Sequence, residues 1–450
     1  MSNTLILTTI ISIGIFYGLI MDNSKIKIQQ FVSLFFIITM ISFYRCPDAL
    51  LYPILYGEDG TQALAFYYNN PQPSSIWRYY SGYISLSKNL IGYLVTKAPI
   101  GFSPYLLSLI SLLISAVSFS LFYSSAFKHI ISSNRIRFIV CISIAAIPLG
   151  NHALITCSDY SIWNLKLILI LLTLSPFPKK RLWMALRLCL MTFLIFSPPS
   201  SFILIPVYVI NMFREPFKPF SKCYLYLILV TIIYLCFGIR STDGPVTTPF
   251  IPTVHTTLRL LTDRVIFETF FGNEGSIFLF YKGLEPLVPA ISAGIIIFIS
   301  AVALKLHTTQ KYNPCNLTIF CYIILVMTLL PLLRYGTEHF DGSWLIWAHR
   351  YFYIQKIMFI LLISHLISIY TLKKRIHERH LIICFSFFIL YVSLLNYYNN
   401  HVYYKTSKEE GKRVEKFIKN VSAQEKMHGG RNNIHMKLDR GRWSIILDKK

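Results

Sequence analysis

The residue types that could do chemistry lie near the start of the chain, where Glu58-Asp59-Gly60 precedes Tyr80-Ser81-Gly82-Tyr83. The adjacent carboxylates are predicted just outside a membrane span, on a segment too long to be a simple turn. A carboxylate at a bilayer edge has a raised pKa when it is desolvated, or serves as a base when it is held near a cation. Either state suits the activation of a hydroxyl that attacks a sugar phosphate. The alternatives are a divalent metal site for Mg²⁺ or Mn²⁺, or a solvated polar loop.

The aromatic motif is followed by Lys88 and an apolar stretch from Leu90 to Val95. Tyr80 and Tyr83 flank Gly82, and this pattern is typical of a segment that lies along the membrane interface. The aromatic rings could shape a binding site there. Tyrosine is also common at the level of the lipid headgroups, so an aromatic belt is an equal interpretation.

Two further groups lie beside predicted spans. Asp159 and Trp163 belong to a polar turn, Ser158 to Asn164, and could line a sugar site. His349-Arg350-Tyr351 closes an outer segment where it enters a span. Arg350 could bind a lipid phosphate through paired donors, or extend to the interface as a helix anchor.

The composition excludes an ordinary soluble protein, since 54% of the 450 residues are hydrophobic and only 14% are charged. Apolar runs of about 17–20 residues recur along the chain, and each is long enough to cross a bilayer as a helix. The net charge of +23 is spread through short loops, which is typical of cytoplasmic loops and not of a nucleic-acid surface. The nine cysteines lie mostly in apolar runs and show no metal-ligand spacing.

The apolar runs predict about twelve spans. Their expected bounds are 4–21, 30–45, 104–127, 138–157, 160–176, 182–197, 200–213, 223–239, 286–304, 316–333, 352–372 and 380–397. Basic clusters such as Lys179-Lys180-Arg181 follow every second span and define the cytoplasmic side. Ser197-Pro198-Pro199-Ser200 breaks the pattern, either between two half-spans or as a kink.

The fold class is therefore an all-α polytopic membrane protein with large outer loops and a small α+β extension at the C-terminus. Residues 1–400 are predicted to form the transmembrane domain, with outer segments at 46–103, 240–285 and 334–351. Residues 401–450 are predicted to form a basic periplasmic extension, a helix followed by a hairpin around Asp439-Arg440-Gly441. No Walker A, GxGxxG, HExxH or GxSxG motif is present.

Taken in order, these segments resemble a family of bacterial multi-span glycosyltransferases of the GT-C type. The resemblance is carried by short motifs spread over most of the chain, namely Glu58-Asp59-Gly60, Tyr80 to Ile84, Ser158 to Trp163, Ser197-Pro198-Pro199 before Phe202 to Pro206, Arg350-Tyr351-Phe352 and Arg440 to Trp443. One departure is Lys88-Asn89, which stands where the family has Pro-Arg. Lys88 could replace that arginine as a point charge toward a donor phosphate.

The resemblance implies sugar transfer from a polyprenyl-phosphate carrier to a surface glycan, on the periplasmic side of the bacterial inner membrane. Asp59 is then the expected base, Glu58 orients it or holds a metal, and Arg350 balances the charge of the leaving phosphate. Size suggests the enzymes that modify O-antigen in serotype conversion, with a hexose such as glucose as the sugar. Their partners are a small flippase and a glycosyltransferase that loads the carrier.

Two alternatives share the many spans. A flippase or transporter for a lipid-linked glycan would show charges inside spans or repeat symmetry. An O-antigen polymerase would have large outer loops with arginine. The early acidic pair favours the transferase over both.

Overall fold

The computed structural model describes most of the central part of the chain. It covers residues 28–45, 59–80, 82–147, 157–198, 200–214, 218–239, 254–309, 315–335, 349–374, 434–438 and 443–447, and the single positions 47, 51, 155, 383, 386, 387, 390, 391, 412 and 416. The predicted first span, 4–21, and most of the predicted last span, 380–397, lie outside these residues.

The described chain is mostly helical. Its α-helices are α1 (Ile28–Arg45), α2 (Phe66–Asn69), α3 (Leu86–Val95), α4 (Ser103–Ser120), α5 (Asn134–Ala146), α6 (Ser161–Leu174), α7 (Arg181–Ile195), α8 (Ile205–Arg214), α9 (Lys218–Ile233), α10 (Val254–Leu260), α11 (Glu268–Tyr281), α12 (Leu287–Thr309), α13 (Cys315–Tyr335) and α14 (Tyr353–Lys374). Wider π-helical turns occupy Asp59–Ala65, Tyr234–Gly238 and Leu261–Phe267. Short 3₁₀ turns occupy Pro73–Trp77, Ile100–Phe102, Leu121–Tyr123, Ser125–Phe127, Ser201–Leu204 and His349–Phe352.

Four helical stretches of the described chain are long and apolar enough to cross a membrane: Ser103–Tyr123, Pro219–Gly238, Leu287–Leu306 and Cys315–Leu332. Ser161–Leu174, Ser201–Arg214 and Tyr353–Ile369 are apolar but shorter. These helices confirm the prediction of a helical membrane protein at its coarse level, while the number of twelve spans stays a prediction.

One compact unit comprises residues 1–34, 119–151 and 243–399. Within it, α14 packs against α13, α12 and α5. Its side chains from Phe352 to Leu362 are almost fully buried, so α14 is a core helix of this unit. Helix α11 is interrupted at Gly272, whose φ of 69° and ψ of 176° are not helical.

The second unit comprises residues 35–118, 152–242 and 400–450. Its core helix is α6, in which Leu165 to Thr173 are all buried. Arg187 of α7 donates to the carbonyl oxygens of Leu172, Ser175 and Pro176 at the end of α6. These are carbonyls that a helix end leaves unsatisfied, and a cation is favoured there by the helix dipole. The charge of Arg187 within an apolar run is thus explained as a helix cap.

Two predictions about local structure are settled in this second unit. Helix α7 ends at Ile195 and helical turns resume only at Ser201, so two separate helical segments flank the proline pair, and one long kinked helix is excluded. The predicted C-terminal hairpin is present as β3 (Ile434–Leu438) and β4 (Trp443–Leu447), paired antiparallel with Ile434 opposite Leu447. The predicted domain division at residue 400 stays a prediction.

Candidate functional site

Asp59 is the first residue of a π-helical turn, and its side chain is buried, with 1% of its surface exposed. Its carboxylate accepts three hydrogen bonds from the turn before α6. The backbone N–H of Ser158 donates at 3.1 Å, the Ser158 hydroxyl at 2.6 Å and the backbone N–H of Asp159 at 2.9 Å. A carboxylate is favoured here because backbone N–H groups near a helix start carry partial positive charge.

Two opposing effects act on the proton affinity of Asp59. Burial raises the pKa of its carboxyl above the ordinary 3.8, while hydrogen bonds from Ser158 and Cys157 and the charge of Lys88 lower it. Burial is the largest effect, so the net pKa is raised. A carboxylate whose proton affinity is raised is a stronger base in its ionised form.

Lys88 of α3 and Asp159 form a buried ion pair. Asp159 also contacts the base candidate, since its backbone N–H donates to Asp59. The structure therefore brings together Asp59, Lys88 and Asp159, which the sequence predicted separately. We call these three residues the charge cluster. It places two carboxyl groups and one amino group in a setting largely removed from water.

The aromatic motif forms a small antiparallel hairpin in which Tyr79–Tyr80 (β1) pairs with Tyr83–Ile84 (β2). Gly82 lies in its turn with a φ of +85°, in the left-handed region that glycine enters without steric cost. Tyr83 is half-buried, and the Tyr234 hydroxyl donates to the carbonyl oxygen of Ile84 at 3.0 Å. The hairpin is thereby fixed to the π-helical turn at Tyr234–Gly238.

Two other predicted residues, Gly60 and Trp163, lie on the same elements. Gly60 is buried within the turn that begins at Asp59. Trp163 is half-buried on α6, and its ring lies 5.7 Å from the Nζ of Lys166, which also donates to Ser200. Strand β4 of the predicted hairpin, which begins at Trp443, lies beside Asp59–Ala65 within the same unit.

The remaining predicted residues are not brought to this cluster by the described structure. Glu58 lies outside the described residues. His349, Arg350 and Tyr351 form the 3₁₀ turn that leads into α14 of the other unit, and their proposed contact with a phosphate stays a prediction. Among the residues that the structure describes, no group of three or more His, Cys, Asp or Glu side chains could hold a metal. The Mg²⁺ or Mn²⁺ option depends on Glu58 and also stays a prediction.

Sequence reasoning missed a second buried group of charges. Glu268 accepts from Arg264 at 2.7 Å and from Lys356 of α14 at 2.7 Å, and all three side chains are buried. Gln355 donates to the carbonyl oxygens of Tyr351 and Met327, both at 2.7 Å. A lysine inside the apolar run 352–372 was the available signal, because a charge there requires a partner.

Comparisons with protein-family models, with curated proteins and with solved structures give no match. The class that the fold and site define is a helical membrane protein with a buried charge cluster beside an aromatic hairpin.

Proposed function

We propose that this protein is a membrane glycosyltransferase of the GT-C type, which moves a hexose such as glucose from a polyprenyl-phosphate carrier to a surface glycan. The reaction takes place at the periplasmic face of the bacterial inner membrane, in a chain of about twelve spans. The acceptor is a glycan such as O-antigen, and the biological outcome is serotype conversion. The observation that carries the proposal is the buried contact of Asp59 with the turn that bears Asp159, itself paired with Lys88.

Asp59 is the proposed base. The hydrogen bonds from Ser158 and Asp159 hold its carboxylate in a fixed orientation, and it removes the proton of the acceptor hydroxyl. The acceptor oxygen forms a bond to the anomeric carbon while its proton passes to Asp59. The bond between that carbon and the phosphate oxygen breaks, and the electron pair leaves with the carrier phosphate.

Lys88 is the proposed charge partner of that phosphate. In the described state its ammonium is compensated by Asp159. A bound phosphate presents the same kind of anionic oxygen, and an ammonium has three N–H donors, so Lys88 can bind the phosphate while it keeps its contact with Asp159. Arg350 is the proposed second cation, with His349 and Tyr351 beside it. Cations of this kind stabilise the negative charge that develops on the leaving phosphate.

The other predicted residues have supporting roles in this proposal. Gly60 lets the acidic turn pack closely, Glu58 orients the base or holds a metal, and Trp163 contributes to the sugar site with the tyrosines of the hairpin. The proposed partners are the lipid-linked donor, the glycan acceptor, a small flippase and the enzyme that loads the carrier.

Purified protein in liposomes, supplied with labelled polyprenyl-phosphate glucose and an O-antigen acceptor, separates the three candidate classes. The proposal expects a covalent glucosylated product without any ion gradient. Movement of the donor across the bilayer without a product would favour a flippase. Joining of glycan repeats to one another would favour a polymerase, and either result would overturn the transferase.

A further inference from the structure

Asn89 stands next to Lys88 on α3, yet its side chain points to different partners. It is buried, with 3% exposed, and its amide nitrogen donates to two carbonyl oxygens, of Ile76 at 2.9 Å and of Arg78 at 2.8 Å. Both carbonyls belong to the segment that leads directly into the aromatic hairpin. A buried side-chain amide that loses its acceptors is costly, so these two bonds fix that segment to α3.

The same segment is also fixed to the helical stretch that carries Asp59. The guanidinium carbon of Arg78 lies 3.6 Å from the centroid of the Phe66 ring, a close cation–π contact. Phe66 begins α2, which continues without interruption from the π-helical turn that starts at Asp59. Arg78 therefore ties the hairpin segment to the base, and Asn89 ties it to α3.

Together these contacts form a closed ring of residues that begins and ends at Asp59. From Asp59 the helical stretch leads to Phe66, which contacts Arg78, whose carbonyl binds Asn89. Its neighbour Lys88 pairs with Asp159, which donates back to Asp59. Within this ring Lys88 supplies charge, and the Asn89 side chain donates hydrogen bonds to backbone carbonyls.

We infer that Asn89 is a positioning residue, which holds the tyrosine hairpin at a fixed place relative to the charge cluster and so sets the affinity for the sugar donor. The inference rests on the proposed function in its second half, since donor affinity has meaning only for a transferase. Its first half, the fixing of the hairpin, is a property of the folded chain alone.

The variants Asn89→Ala and Asn89→Ser test both halves. Alanine removes both donors, whereas the serine hydroxyl can still serve one carbonyl. The matched control is Asn211→Ala, because Asn211 also donates through its amide nitrogen to a backbone carbonyl, that of Thr173 at 2.9 Å. Amide hydrogen exchange is measured over residues 76–84 in detergent, and KM and kcat are measured with polyprenyl-phosphate glucose.

We expect exchange over 76–84 to accelerate about tenfold in Asn89→Ala, equivalent to about 1.4 kcal/mol, because two hydrogen bonds to this segment are lost. The exchange rate of Asn89→Ser should lie between those of Asn89→Ala and the wild type, and Asn211→Ala should leave exchange over this segment unchanged. KM for the donor rises with kcat largely retained, because Asp59 and Lys88 are untouched. If Asn89→Ala folds in low yield, the serine variant carries the same comparison.

Unchanged exchange over 76–84 in both Asn89 variants would overturn the inference. A loss confined to kcat, with KM unaltered, would overturn the claim about donor affinity. If the wild type transferred no sugar, the proposed function would fail, whereas the exchange measurement would still decide whether Asn89 fixes the hairpin.

Discussion

At the residue scale, the proposed base is a carboxylate that is buried and still accepts several hydrogen bonds. Burial raises the pKa of Asp59 and so favours its protonated form, whereas the three hydrogen bonds from Ser158 and Asp159 favour its ionised form. The balance suits a residue that must lose a proton before it can accept one from the substrate.

The Ser158 hydroxyl gives a direct test of this balance through the variant Ser158→Ala. Its hydrogen bond lowers the pKa of Asp59, so its removal raises that pKa further. The base then stays protonated to higher pH, and the acid limb of the profile of kcat/KM against pH moves upward. The control is Ser143→Ala, whose hydroxyl bonds the carbonyl of Ile139 in its own helix, and its profile should match the wild type. An acid limb in the same place for both variants would argue against Asp59 as the titrating base.

The ion pair of Lys88 and Asp159 allows a second test at this scale. Lys88→Met or Asp159→Leu alone leaves one buried charge uncompensated and should cost about 3–5 kcal/mol of stability. The double variant removes both charges and should recover much of that loss. The melting temperature in detergent reports these changes. We expect no sugar transfer by the double variant, even where its melting temperature recovers.

The exposed pair of Arg259 and Glu285, 2.9 Å apart, supplies the matched control. Glu285→Gln should change the melting temperature little, because water screens an exposed pair. A double Lys88→Met and Asp159→Leu variant that transferred sugar at the wild-type rate would show that the pair has only a structural role.

At the scale of the element, a glycine sets the distance between α3 and the stretch that begins at Asp59. A Cβ on Gly92 would lie 2.6 Å from Cδ2 of Tyr67 and 3.3 Å from the Cα of Ala63. Both neighbours are held, since Tyr67 is buried and Ala63 contributes backbone. The absence of a side chain at Gly92 is what permits this close packing.

We predict that Gly92→Ala displaces the Asp59 stretch from α3 and lowers both transfer and the melting temperature, despite the better helix propensity of alanine. Gly294→Ala in α12 is the control, because a Cβ there has nothing within 4 Å. It should be neutral or slightly stabilising. Equal behaviour of the two variants would contradict the proposed packing.

The elements were easier to predict than their contacts. The apolar runs predicted α4, α6, α12, α13 and α14 within a few residues, and Asp439-Arg440-Gly441 predicted the final hairpin. Residue types and charge indicated Asp59, Lys88 and Asp159 one at a time. Asp59 and Asp159 are about a hundred residues apart in the chain. Hydrophobic periodicity cannot predict a contact between such distant segments. The Glu268 cluster was missed for the same reason, since Lys356 lies 88 residues from its partner.

At the scale of the whole molecule, the two ends of α6 differ in charge. Asp159, which contacts the candidate base, precedes its first residue, and the basic residues Lys179, Lys180 and Arg181 follow its last. Positive charge after a span marks the cytoplasmic side. We therefore expect the charge cluster to face the periplasm.

Fusions of alkaline phosphatase and of green fluorescent protein after Ser74 and after Lys180 test this orientation. Phosphatase activity is expected at Ser74 and fluorescence at Lys180, because each reporter is active on one side of the membrane only. Fluorescence at Ser74 would place the acidic turn in the cytosol and would remove the basis for a periplasmic reaction.

The central claim is that Asp59 removes the proton of the acceptor hydroxyl. A single-turnover assay with purified protein, labelled polyprenyl-phosphate glucose and acceptor tests it most directly. Asp59→Asn should bind donor and remain folded in the membrane. Its rate of product formation should fall by about two to four orders of magnitude, which is the usual contribution of a general base to catalysis. Product formation at a rate near that of the wild type would contradict the claim.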